Sequence, residues 1–239
     1  MSDFSNRKVL VTGGSRGIGA SIVEAFVQAG ALVTYTGKSK TPSQIIEKAQ
    51  YKSLDFSDDL SIEDFFSKPE NLEFDILINN AGINKIDHFH EIPLEDFRLI
   101  QKVNLEGPMR LSQKVIPYMK KNKFGRLVNV ASIFSSISKE KRASYSSSKF
   151  ALVGMTKAVA IEYASENILA NVISPGFIDT ELTRKILSEQ QIAELTSLVP
   201  ARRLGTAEEI ARIVLFLASP KNTFITGQNI IADGGFTCV

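Results

Sequence analysis

Short apolar runs alternate with segments of helical period along the whole chain. Val9–Val11, Leu32–Tyr35, Phe74–Ile78, Arg126–Ala131, Leu169–Ser174 and Asn229–Asp233 predict strands. Most of these runs are continuously apolar rather than alternating, as a parallel sheet buried on both faces requires. After the first run, Ile18, Ile22, Ala25, Phe26 and Ala29 recur at helical spacing and stop at Gly30, a good helix terminator. Leu94–Tyr118, with an interruption at Gly107-Pro108, and then Ala143–Ala164 and Ala207–Ala218 predict further helices. Thr206 before Ala207-Glu208-Glu209 reads as a helix start with acids in its first turn. Strands and helices that alternate from end to end predict an α/β chain built as a doubly wound parallel sheet. With 239 residues and no linker, repeat or low-complexity stretch, one domain over 1–239 suffices.

The first strand runs into Thr12-Gly13-Gly14-Ser15-Arg16-Gly17-Ile18-Gly19. Strand, glycine turn and helix together form the context in which glycines mean dinucleotide binding: the bare backbone approaches the pyrophosphate and the helix N-terminus supplies N–H groups. Near the end of the second strand, where an NAD enzyme places an acid on the ribose, the chain reads Thr36-Gly37-Lys38-Ser39-Lys40. Two lysines there, with Arg16 in the glycine turn, favour a 2′-phosphate and so NADP(H), with NAD(H) second. Asn79-Asn80-Ala81-Gly82, at the end of another strand, suits the crevice where ligands bind in open α/β sheets.

Tyr145 and Lys149 stand at i and i+4 of a predicted helix and share a face, with Ser132 upstream. A cation beside a phenol favours the phenolate and is expected to draw its pKa down from about 10 toward neutrality. The set is suited to moving one proton.

Taken together, these residues resemble the short-chain dehydrogenase/reductase family over essentially the whole chain: the Thr12–Gly19 turn, Asn79–Gly82, Asn104, Ser132, Tyr145, Lys149 and Pro175-Gly176 occur in that family's order. The resemblance implies a Rossmann-type sheet of about seven strands with helices on both faces. It also implies a catalytic tetrad of Asn104, Ser132, Tyr145 and Lys149. Tyr145 would be acid or base, Lys149 would tune it and hold the nicotinamide ribose, Ser132 would orient the carbonyl, and Asn104 would position a water. Cofactor contacts carried over are Gly13, Ser15, Arg16, Gly17, Ile18, Gly19, Lys38, Asn80, Ala81, Gly82, Tyr145, Lys149, Pro175 and Gly176. Asp55, after the third strand, is placed near the adenine, and Ile178 and Thr180 near the nicotinamide carboxamide. A homotetramer paired through Leu105–Tyr118, Ala151–Ala164 and the C-terminal strand is implied as well; Leu152, Val153, Met155, Val159 and Ile161 spread beyond one core stripe, in keeping with it.

Within the family the chain is similar to 3-oxoacyl-(acyl-carrier-protein) reductases at Pro200–Gly205, Phe216–Ser219, Ile225–Gln228 and Asp233–Gly235. It departs from them twice. Glu166 stands where a base would grip an acidic carrier, although Lys123 could serve as one such base. Ser138-Lys139-Glu140-Lys141-Arg142, between Ser132 and Tyr145, carries charge where those reductases carry small residues. An acyl thioester and a small polar substrate such as a sugar or hydroxy acid therefore both stay open. The non-enzymatic alternative, a nucleotide sensor, is disfavoured by a tetrad in which every position is filled.

Composition changes this picture little. A formal net charge of +2 with intermixed signs, and only a short cluster at Lys120, Lys121 and Lys123, argue against nucleic acid as a partner. No apolar run is long enough to span a membrane and no signal peptide is evident. The sole cysteine, Cys238, forms no internal disulfide, which suits a cytoplasmic location. His88 and His90 flank Phe89 without further ligands, so no metal site is expected.

Overall fold

The computed structural model describes residues 4–186 and 188–239. In chain order it forms β1 (Lys8–Val11), α1 (Gly17–Gln28), β2 (Leu32–Gly37), β3 (Ala49–Ser53), α2 (Asp59–Phe66), β4 (Ile76–Asn79), α3 (Leu94–Gln101) and α4 (Gly107–Asn122). Then come β5 (Gly125–Val130), α5 (Ala143–Tyr163), β6 (Ile168–Pro175), β7 (Ile178–Asp179), α6 (Glu181–Ile186), α7 (Glu189–Leu198), β8 (Gly205–Thr206), α8 (Ala207–Ala218) and β9 (Asn229–Ala232). Seven strands form one sheet in the order β3-β2-β1-β4-β5-β6-β9, every pair parallel. The short β7 and β8 pair separately.

Alternation along each strand sends its side chains to two different cores. Val9 and Val11 of β1 and Ile76 and Ile78 of β4 pack with Ile22 and Phe26 of α1 and Val214 and Leu217 of α8. Leu10 and Leu77, one residue out of phase, pack on the other face with Ile62 and Phe65 of α2 and Leu111, Val115 and Met119 of α4. Both faces of the sheet are thus covered, which is why its strands read as unbroken apolar runs. Helix α8 begins as expected: Thr206 and Glu209 form a reciprocal capping box.

The chain winds outward from β1 to β3, then returns to place β4 on the other side of β1. This reversal opens a crevice at the C-terminal ends of β1 and β4, the position where open α/β sheets bind ligands. Predicted boundaries shift by one or two residues at most strands. The expected long helix from Leu94 is α3 and α4 joined by a π turn at Lys102–Glu106 rather than a simple break at Gly107-Pro108. Helix α4 also continues past Tyr118 to Asn122.

Candidate active site

Around the β1–β4 crevice the glycine turn is shaped by its neighbours. Gly13 has a φ of 64°, a left-handed backbone that glycine adopts without penalty. A Cβ on Gly19 would lie 2.2 Å from the Gly13 carbonyl oxygen, so only glycine permits α1 to start this close to the turn. Asn80 Nδ2 donates to the Thr12 and Gly13 carbonyls, both at 3.0 Å. Buried Thr12 Oγ1 accepts from Asn80 N at 3.0 Å and Ala81 N at 3.1 Å. Sequence gives Thr12 no role beyond its place in the turn; a polar side chain at the buried end of a strand is the signal that marks it.

Helix α1 starts at Gly17 with no side-chain cap and no acid in its first turn, so its positive end is open to an anion. Arg16 and Lys38 are exposed beside it, and no acid follows β2 before Asp55 except Glu47, which precedes β3. Asp55 lies past the end of β3, where its carboxylate accepts from Ser57 N at 2.8 Å and Ser57 Oγ at 2.6 Å. From the far side, the loop after β6 reaches across: a Cβ on Gly17 would meet Thr180 Cγ2 at 3.8 Å. Pro175 ends β6, Gly176 N donates to Ala232 O at 2.9 Å, and Ile178 is held in β7. All of the expected cofactor residues therefore ring the C-terminal edge of the sheet. These uncapped amides and uncommitted cations fit a phosphorylated dinucleotide.

Ser132 follows β5, and Tyr145 and Lys149 share one face of α5. Ser132 stands near the Tyr145 phenol, whose pKa its hydroxyl draws down, and accepts from Phe134 N at 3.3 Å. Lys149 is buried, and its Nζ donates to Val130 O at 2.9 Å. Asn104 sits inside the π turn. Its Oδ1 accepts from Ile83 N at 2.8 Å, and its Nδ2 donates to Ile83 O at 2.9 Å and to Ser148 Oγ at 3.1 Å. A Cβ on Gly82 would touch both Asn104 Oδ1, at 3.4 Å, and Lys149 Nζ, at 3.5 Å, so all four expected residues meet at one place. Beneath them Asn79 Nδ2 donates to Asn129 Oδ1 and Asn129 Nδ2 to Thr156 Oγ1, tying β4, β5 and α5 in register.

The electrostatics correct one expectation. Burial pushes the Tyr145 phenol above its ordinary range, and the Ser132 hydroxyl and Arg142 charge pull it back without prevailing. Lys149 Nζ stands 5.6 Å from the centre of the Tyr145 ring and spends a donor on Val130 O. Burial also draws Lys149 itself down to about 8. A raised phenol pKa keeps the proton on at neutral pH, which suits a proton donor.

Two outlying expectations also change. Of the charged loop, Lys139 and Lys141 point to solvent, while Arg142 is partly buried against Phe134. Glu166 is paired with Lys120 at 3.0 Å and with Lys123 at 4.0 Å. His88 and His90 are exposed, and among the described residues no group of three His, Cys, Asp or Glu is placed to hold a metal ion. No helix among them is long and apolar enough to cross a membrane.

A family model described as enoyl-(acyl carrier protein) reductase matches residues 13–237. The 3-oxoacyl-(acyl-carrier-protein) reductase FabG of Escherichia coli (strain K12) is 38% identical over 99% of this chain and 100% of its own length. The chain belongs to the short-chain dehydrogenase/reductase family. Among solved structures, a gluconate 5-dehydrogenase described as putative and NAD(P)-dependent, from Beutenbergia cavernae with bound NADP, superposes with a TM-score of 0.91 at 29% identity, covering 100% of both chains. A 4-hydroxyisoleucine dehydrogenase complexed with NADH does so at 0.91 and 30% identity, covering 98% of this chain and 100% of its own. The fold is thus shared with dehydrogenases named for different substrates.

Proposed function

We propose that this short-chain dehydrogenase/reductase catalyses NADP-dependent interconversion of a carbonyl and an alcohol, with Tyr145 giving the proton in reduction and taking it in oxidation. The observation that carries this reading is the meeting of a proton-bearing phenol, a neighbouring hydroxyl and a buried ammonium at the ends of β5 and α5. The substrate oxygen accepts hydrogen bonds from Tyr145 Oη and Ser132 Oγ, which polarise the carbonyl and set its orientation. Bound nicotinamide supplies the hydride. As negative charge grows on the oxygen, Tyr145 releases its proton to it. Lys149, with one donor on Val130 O, has two left for ribose hydroxyls, and its charge steadies the phenolate that remains. Asn104 spends its amide on Ile83 and Ser148, so it is a positioning residue that clamps the segment after β4 to α5. An absorbance assay with NADPH against acetoacetyl thioesters, keto-sugars and simple ketones tests the reading; no NADPH oxidation with any of them sinks it.

NADP(H) is the favoured cofactor because Arg16 and Lys38 stand free where an NAD enzyme would place an acid. The NADP held by the gluconate dehydrogenase neighbour supports this choice, and NAD(H) is the second one. Lys38→Asp is expected to lower kcat/KM for NADPH by about tenfold or more and to improve NADH, since one charge-assisted phosphate contact becomes a repulsion. Equal wild-type kcat/KM for the two cofactors would contradict this assignment.

For the substrate, the whole-length similarity to a 3-oxoacyl-(acyl-carrier-protein) reductase supports a 3-oxoacyl thioester. A small polar substrate is favoured by a different observation: Glu166, paired with Lys120 at 3.0 Å, sets a negative charge among the cations available to grip an acidic carrier. Comparing kcat/KM for carrier-bound and free short thioesters separates the two readings.

A homotetramer completes the proposal. Met109 of α4, Phe150 and Ile161 of α5, and Phe216 and Phe224 near the β9 edge expose large apolar side chains, more than a monomer gains by leaving to water. Light scattering at micromolar protein is expected to give four times the 26.3 kDa chain mass; a monomer mass would refute the assembly.

A further inference from the structure

The loop that enters α5 separates its charges sharply. Lys139, Glu140 and Lys141 are exposed. Lys141 has a left-handed backbone, with a φ of 62°, and the next residue, Arg142, is partly buried. Its guanidinium carbon lies 5.9 Å from the centre of the Phe134 ring. That ring meets the Tyr145 ring edge-on at 6.3 Å, and Phe134 N binds the hydroxyl of Ser132. Arg142 therefore borders the place where a substrate carbonyl would sit. Its Nη1 is shielded from solvent and donates to no group among the described residues.

A second buried arginine shows how this chain treats one that is only structural. Arg126 Nη1 donates to Gly125 O at 2.8 Å and Asn167 O at 3.0 Å, and its Nη2 to Asn222 O at 2.9 Å. Nothing comparable satisfies Arg142. A shielded donor without an acceptor is a net cost to folding, and such groups call for an explanation outside the fold. A planar guanidinium near Phe134 and Tyr145, with a donor unspent and no acid paired to it, matches a carboxylate in both charge and shape.

We infer that Arg142 is the receptor for a carboxylate on the substrate, so that this oxidoreductase prefers oxo acids and hydroxy acids to their neutral counterparts. The inference rests on the oxidoreductase reading and narrows its substrate class. With its carboxylate on Arg142 and its carbonyl on Tyr145, the substrate has the distance and direction of the reacting carbon fixed. The exposed Lys139 and Lys141 take no part.

The test measures NADPH oxidation by the full-length protein with matched pairs: acetoacetate and methyl acetoacetate, levulinate and methyl levulinate, 5-ketogluconate and L-sorbose. At least one acid is expected to exceed its neutral partner in kcat/KM by about tenfold or more, the worth of one charge-assisted hydrogen bond. Arg142→Met, which keeps the stem against Phe134, is expected to bring that ratio near one, mostly through KM. Arg142→Lys should retain part of the preference. NADPH binding followed by fluorescence checks that the variants fold, and the wild-type ratios decide the matter even if they do not. Wild-type preference for the neutral partners, or parity, overturns the inference, as does an equal loss for both partners in Arg142→Met. If none of the carbonyls supports NADPH oxidation by the wild-type enzyme, the oxidoreductase reading fails instead and takes this inference with it.

Discussion

Replacing Tyr145 with phenylalanine is expected to cut kcat by about 10²–10⁴-fold, the usual worth of a positioned general acid, while fold and NADPH affinity stay near wild type. The substitution removes one oxygen from a partly buried ring whose edge-on contact with Phe134 does not involve that oxygen. Ser132 keeps its bond from Phe134 N, so the loop after β5 is still anchored. The measurement is kcat by NADPH absorbance alongside NADPH binding by fluorescence. Retention of more than about a tenth of kcat, against that expected range, would take the acid role from Tyr145.

Lys149→Met is expected to abolish turnover and yet raise thermal stability at neutral pH. Burial lowers the Lys149 pKa from 10.5 to about 8, a penalty on the charged form of about 3 kcal/mol. In this depressed case the unfolded chain holds the proton more tightly than the folded one. The penalty is therefore fully present below pH of about 8 and fades as pH rises toward 10.5. Methionine escapes it but leaves Val130 O without its partner, which returns about 1 kcal/mol. A net gain of about 1–2 kcal/mol corresponds to a Tm increase of roughly 2–8 °C for a chain of this length. The gain should shrink as pH is raised from 7 to 10 if the lysine charge is its source. A Tm at or below that of the wild-type protein at pH 7 would show that Lys149 is held without strain. For the wild-type enzyme, the same titration predicts that kcat/KM in reduction falls above pH of about 8, as Lys149 loses its charge.

The central strands were legible because each is buried on both faces and spells a run such as Ile76-Leu77-Ile78. The sequence pattern did not reveal β3: Ala49-Gln50-Tyr51-Lys52-Ser53 lies at the sheet edge, partly exposed, and only its pairing with β2 makes it a strand. Helix α7 escaped as well. Its residues bury nothing completely, so no apolar stripe betrays it, and its capping box at Ser188 and Gln191 is the signal that was there to be used. The gathering of Tyr145, Lys149 and Ser132 followed from helical spacing and chain order. The direction of the Tyr145 pKa did not, because it depends on how deeply the ring is buried rather than on which cation is near in sequence. Arg142 was indistinguishable from Lys139 and Lys141 as a letter in a charged loop. Only the fold separates them: Lys139 and Lys141 stay exposed, and Arg142, after the left-handed Lys141, is partly buried.

The π turn at Lys102–Glu106 also constrains how this chain can change length. It accommodates one residue more than an α-helical turn would, and so keeps α3 and α4 in phase despite that extra residue. Four residues of an α-helix at about 100° each turn through nearly the same angle as five at the wider π pitch. Deleting one of the five would restore an unbroken α-helix and leave Ile100, Leu111 and Val115 in the core. Asn104 would lose Ile83 in the same step. Insertions and deletions in this helix are thus coupled to the site through Asn104.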